Sequence, residues 1–197
     1  MTSPSLIDRR EALRRVALIL GGAVSAPAIA GVLAGCSGGA GGAGDWTPRA
    51  FSPTQGAMIE TIADQIIPRT TTPGARDAGV HRFIDVMMAE YYLLADRDRF
   101  VAGLADLDAR ADRAHGRPFL RCDDSAQRSL LVALDAETFA QPQTPRETSW
   151  FRTMKELTVL GYYTSEPGAT KELRHEPVPG RYEGCVPLAR VGRAWAV

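Results

Sequence analysis

Ser52-Pro53-Thr54-Gln55-Gly56-Ala57-Met58-Ile59-Glu60-Thr61-Ile62-Ala63-Asp64-Gln65-Ile66-Ile67-Pro68 reads as one helix with both ends marked. Ser52 is placed to cap it, Pro53 fits the first helical position, and Gln55 closes a capping box. Met58, Ile59, Ile62, Ala63, Ile66 and Ile67 recur in steps of three and four, the signature of a helix with one buried stripe. Pro68 lacks the N–H needed to continue.

The same pattern repeats outward from this segment. After a loop at Thr70-Thr71-Thr72-Pro73-Gly74, Val80, Phe83, Ile84, Met87, Met88 and Tyr91 mark a second helix. Asp96 is expected to cap a third, with Phe100, Leu104, Leu107 and Ala111 inside and Arg97, Asp98, Asp106, Arg110 and Arg113 in solvent. Gly116 and Pro118 end it. Asp123-Asp124-Ser125 opens a fourth helix carrying Leu130, Leu131, Leu134 and Phe139. A connector at 141–145 leads to a fifth, from about Glu147 to Tyr163, bearing Trp150, Phe151, Met154, Leu157, Val159 and Leu160. Beyond it, Pro167, Gly168, Pro177, Pro179, Gly180 and Gly184 exclude a long helix. The expected fold is all-α: about five helices in one bundle-like domain (51–163), then an extended Pro/Gly-rich C-terminal arm (164–197).

Upstream the chain reads as an address. Arg9-Arg10, followed by Arg14-Arg15, forms a basic n-region, and Val16 to Leu33 is a mildly apolar stretch of small residues. The arginine pair resembles a twin-arginine export signal, though the phenylalanine common after the pair is missing, which leaves the general export route open. Gly21, Gly22, Pro27 and Gly31 are poor residues for the alternative, an uncleaved membrane helix. Leu33-Ala34-Gly35-Cys36 resembles a lipobox, making 1–35 a lipoprotein signal peptide and Cys36 the acylated residue. The glycine-rich run after Cys36 makes 36–50 a flexible tether. Acyl chains contribute roughly 0.8 kcal/mol per buried methylene, enough together for a stable anchor. The expected location is the periplasm or the outer face of the cytoplasmic membrane.

Residues 1–35 carry four of the 23 basic and two of the 23 acidic residues, leaving 19 against 21 in the 162 that follow. That balance, without a basic stripe, argues against nucleic acid as a partner. With Cys36 acylated, Cys122 and Cys185 remain, free to bridge each other or another subunit, or, for Cys122, to be buried as a small apolar residue. His81, His115 and His175 have no partner at metal-ligand spacing. No Gly-x-Gly-x-x-Gly follows a strand and no Cys-x-x-Cys-His is present, so no flavin, nicotinamide or haem site is expected in this chain. Asp64, Asp85, Glu90 and Glu156 lie beside apolar stripes. Paired carboxylates can do acid–base work, but helical domains carry such residues on every exposed face. No catalytic, cofactor or metal residue is assigned.

The arm reads differently. Tyr162, Tyr163, Tyr182 and Trp195 alternate with Arg181, Arg190 and Arg193, residue types enriched at interface anchors. Tyr162, Tyr163, Arg181, Tyr182, Cys185, Arg193 and Trp195 are therefore the candidate partner contacts. The alternative is an arm that wraps its own helical core.

Ile62-Ala63-Asp64-Gln65-Ile66-Ile67-Pro68, Thr72-Pro73-Gly74-Ala75, Ala78-Gly79-Val80 and Phe83-Ile84-Asp85 together resemble the gluconate 2-dehydrogenase subunit 3 family. So do Glu156 to Glu166, Gly168-Ala169-Thr170, Pro177 to Tyr182, Gly184-Cys185 and Arg193-Ala194-Trp195. The resemblance runs from about Phe51 to the end. It implies a non-catalytic small subunit of a membrane-bound sugar or sugar-acid dehydrogenase. The partner would be an FAD-containing flavoprotein of the glucose–methanol–choline type, with a cytochrome c subunit accepting the electrons. The small subunit would carry the flavoprotein, already folded around FAD, through the twin-arginine translocase. A disulfide from Cys185 to that flavoprotein is a further expectation, while anchoring through Cys36 departs from the general family pattern. The competing reading is a free-standing envelope lipoprotein that binds a small molecule or another envelope protein.

Overall fold

The computed structural model describes residues 46–140, 149–178, 180 and 184–196. Arg9, Arg10, Cys36, Arg181 and Tyr182 lie outside the described residues. Among those described, five helices of eleven residues or more account for the body: α1 (Pro53–Ile66), α2 (Val80–Glu90), α3 (Leu94–His115), α4 (Asp124–Ala140) and α5 (Trp150–Tyr163). The all-α expectation holds.

Local chemistry sets the ends. The Ser52 hydroxyl accepts from Gln55 N at 3.3 Å and the Gln55 amide accepts from Ser52 N at 2.8 Å, completing the capping box. α2 begins after Gly79 at φ 67°, and α3 ends at Gly116 at φ 65°; both lie in the left-handed region that favours glycine. Asp96 is not the cap of α3. The helix starts two residues earlier, and Asp96 sits in its first turn, where a carboxylate meets the positive end of the helix dipole.

Helix α5 is the hub, packing against each of the other four. Its Phe151, Met154, Leu157, Thr158, Gly161 and Tyr162 are buried. Close approach is built in. The Trp150 ring fills the space where Gly103 of α3 lacks a side chain, and Phe83 of α2 packs where Gly161 lacks one. Phe51 packs tilted on Phe100, and Phe100 meets Trp150 edge to face, with ring centroids 5.6 and 5.8 Å apart. Below them a short 3₁₀ turn, Phe119–Arg121, buries Phe119. It is held by Asp108 accepting from Phe119 N at 2.8 Å and by the buried Gln127 amide donating to the carbonyls of Phe119 and Cys122.

Not every apolar residue expected inside is there. Leu160 lies nine residues after Phe151, about 180° round the helix, so both cannot face one core; Val159 and Leu160 are exposed. Phe139, about 140° from Leu134, is also exposed, beneath the cations of Lys155 (4.8 Å) and Arg152 (5.7 Å). Tyr91 falls just past the end of α2 and is exposed.

Asp85 was expected on a solvated face and is buried. Its carboxylate accepts from Arg49 N (2.8 and 3.1 Å) and Ala50 N (2.9 Å), and the Arg49 guanidinium pairs with Glu90 at 2.5 Å. The packed chain thus begins before Phe51, the boundary that composition suggests.

Candidate partner-binding surface

The loop between α1 and α2 is drawn tightly onto the end of α5. Ala75 N donates to Ile67 O at 2.9 Å, and Gly74 N donates to the Asp77 carboxylate at 2.9 Å. A Cβ on Gly74 would lie 2.6 Å from Arg69 N, so only glycine fits there. The hydrogen bond from Arg69 holds the Asp77 carboxyl below the usual carboxylate range, helped by the Gly74 N–H and opposed by burial. Tyr162, 1% exposed, donates its hydroxyl to Pro73 O at 2.6 Å. Burial raises its phenol pKa.

From Tyr162 the chain turns into the arm. The Ser165 hydroxyl donates to Tyr162 O at 2.6 Å and accepts from Gly168 N at 3.1 Å. Gly168 packs directly on that carbonyl and opens a π-helical turn, Gly168–Glu172. The Thr72 hydroxyl donates to Glu172 at 2.5 Å, joining the loop to the arm. Two-residue strands, β1 (Arg174–His175) and β2 (Trp195–Ala196), pair in parallel, and the single-turn helix α6 (Leu188–Val191) lies between them in sequence. The arm is therefore not extended throughout; it closes on itself. Arg174 stacks over the Trp195 ring at 4.3 Å, and Arg193 donates to Lys171 O. An open groove of about 590 Å³ is lined by Thr170, Leu173, Arg174, His175, Val191 and Arg193.

Two faces of the helical body stay uncovered. On α5, Val159, Leu160 and Tyr163 form an exposed apolar strip around Glu156, which Arg152 holds at 2.8 Å. The α2–α3 corner exposes Tyr91, Leu93 and Leu94. Burial pushes the Tyr92 phenol up, and the Glu156 and Asp96 carboxylates push it the same way, so the corner neighbours this side of α5. The second face is a groove of about 250 Å³ between α1, α4 and α5, walled by Ile66, Leu131, Val132 and Phe151. Arg128 stands at its mouth, and Lys155 is tied to Asp135 at 2.6 Å. The buried Oε1 of Gln65, also lining it, has no hydrogen-bond partner. Leaving such an acceptor unpaired costs about 1–3 kcal/mol.

The structure divides the expected contact residues. Tyr163 (41% exposed), Cys185, Arg193 and Trp195 (45%) are at the surface, whereas Tyr162 belongs to the core. Cys122 is buried and Cys185 exposed, and the two thiols are not bonded to each other. Val159 and Leu160 had a signal in the sequence: α5 carries more apolar positions than one stripe can bury. Gln65 and Arg128 had none, because their roles depend on which helices meet.

Neither curated proteins nor solved structures yielded a match. The family described as gluconate 2-dehydrogenase subunit 3 matches residues 53–180, which span α1 to α5, the loop held by Tyr162 and the first part of the arm. On that match the chain belongs to the gluconate 2-dehydrogenase subunit 3 family, subunits of a dehydrogenase complex.

Proposed function

We propose that this protein is the non-catalytic small subunit of an FAD-dependent sugar or alcohol dehydrogenase complex of the glucose–methanol–choline type. It escorts the folded flavoprotein subunit during export and tethers it at the membrane through Cys36. Family membership supports association with such a complex. The observation that carries the reading is the exposed strip Val159, Leu160 and Tyr163 on the helix that otherwise forms the centre of the core. Apolar groups left in water on a rigid, buried-on-one-side helix favour a partner surface. Trp195, Arg193 and Cys185 are exposed on the arm, where Cys185 is accessible for a disulfide to the flavoprotein. FAD would be held by the partner.

The twin-arginine pair follows from this reading, since a flavoprotein that acquires FAD in the cytoplasm has to cross the membrane folded. A tagged chain should pull down a protein with flavin absorbance from detergent-solubilised membranes, and Arg9-Arg10→Lys-Lys should strand both in the cytoplasm. A chain that purifies alone, without flavin, or one that oxidises sugar unaided, contradicts the proposal.

A further inference from the structure

The groove between α1, α4 and α5 is a second surface, separate from the Val159–Tyr163 strip. From its chemistry we infer that it seats an acidic peptide segment of the dehydrogenase subunit, inserted by one large apolar side chain. The inference rests on the complex proposed above. At about 250 Å³ the groove falls below the usual 300–1,000 Å³ of small-molecule sites. An apolar cavity of about 150 Å³ already accepts a benzene ring, so one aromatic or long aliphatic side chain fills most of this one. Ile66, Leu131 and Phe151 give that side chain apolar walls, and Val132, 63% exposed, forms the lip.

Two polar groups define the rest of the occupant. Gln65 lines the groove, and its Oε1, shielded from solvent, has no donor; turning that side chain toward the groove offers it to a peptide N–H beside the anchor. Lys155 is already neutralised by Asp135, but Arg128 makes no ion pair among the described residues. A carboxylate next to the anchor completes it by charge complementarity. A second copy of this chain fits poorly. A two-fold pairing over the groove sets Arg128 against Arg128 and one concavity against another, leaving both unfilled.

The test is photo-crosslinking in membranes that hold the full-length chain with its dehydrogenase subunit. p-Benzoylphenylalanine is placed at Val132 in one preparation and at Tyr163 in another. The expected result is a Val132 adduct to the dehydrogenase subunit, mapping to a peptide with Asp or Glu beside an aromatic or aliphatic residue. Arg128→Glu should cut that adduct by about tenfold and Arg128→Lys by much less, with an unchanged Tm because Arg128 is exposed and unpaired. Gln65→Leu should weaken it less than Arg128→Glu. A Val132 adduct to another copy of this chain, to residues 141–148, or to a segment without a carboxylate overturns the inference. So does an adduct indifferent to Arg128→Glu, or a Tyr163 adduct with none at Val132; in these cases the complex itself stands. Loss of both adducts with no co-purifying flavoprotein overturns the complex and the groove's role together.

Discussion

The loop from Ile67 to Gly79 and the arm after Tyr163 share a composition rich in Pro, Gly and Arg, yet they are held in opposite ways. In the loop, Ala75 is fully buried, Gly74 touches backbone where a Cβ would go, and Asp77 and Tyr162 each fix a main-chain group. In the arm, Gly180 and Gly192 have open space around them, and the strands are two residues long. The loop is thus part of the core in all but secondary structure. Among the described residues the arm is tied at its root by Ser165 and Gly168 and by Thr72 to Glu172, and is closed internally by Arg174 over Trp195. Pro and Gly report where helices stop; burial decides what the chain does there.

That contrast can be broken by substitution. Gly74→Ala should have the largest effect, forcing backbone apart in the loop at about 3 kcal/mol, with a fall in Tm of about 10 °C by calorimetry. If Tm holds, the loop is not packed as described. Asp85→Asn removes the charge that accepts from Arg49 and Ala50 and should cost about 2 kcal/mol in denaturant unfolding. Tyr162→Phe loses one hydrogen bond to the loop and should cost about 1 kcal/mol. It also sharpens the comparison, since Tyr162 serves both regions: faster proteolysis of the arm in this variant would show that the arm depends on the loop.

Acid should act on the packed body, first through His81. Burial lowers the His81 pKa below its usual value, outweighing the Glu60 carboxylate 4.0 Å away, while Arg82 and Arg76 lower it further. The unfolded chain then binds a proton more readily than the folded one. Stability is full above about pH 6.5 and falls as pH drops below it, toward the depressed folded pKa. The part of the slope nearest neutrality should vanish in His81→Gln, measured by Tm against pH, while the depressed Asp77 carboxyl keeps its own loss at lower pH. Trp195→Ala should have the smallest effect on stability, under about 1 kcal/mol, because its contact with Arg174 is exposed. On the proposed function the same variant should nonetheless weaken flavoprotein co-purification.

The helices were legible because their signals are local. Ser52 and Gln55 meet across three residues, and α1 buries Met58, Ile59, Ile62 and Ala63 as its spacing requires. Tyr162 and Tyr163 show where this stops. Neighbouring tyrosines look alike in sequence, but about 100° of helix rotation sends one into the core and the other to solvent. Asp85 was illegible for a different reason. What it binds is 35 and 36 residues away, and nothing around it in sequence announces an incoming backbone. The exposed strip on α5 lay between these cases: surplus apolar positions were visible, while which of them remained outside depended on where the other four helices packed.

The Asp85 clasp has a mechanical consequence. Any tension arriving along the chain from before Arg49 reaches the carboxylate in the middle of α2 before it reaches the capped start of α1. Load is thereby shared into the bundle through hydrogen bonds to one buried side chain. The first turn of α1 is spared, and a pull on the segment before Arg49 does not begin by unwinding that helix.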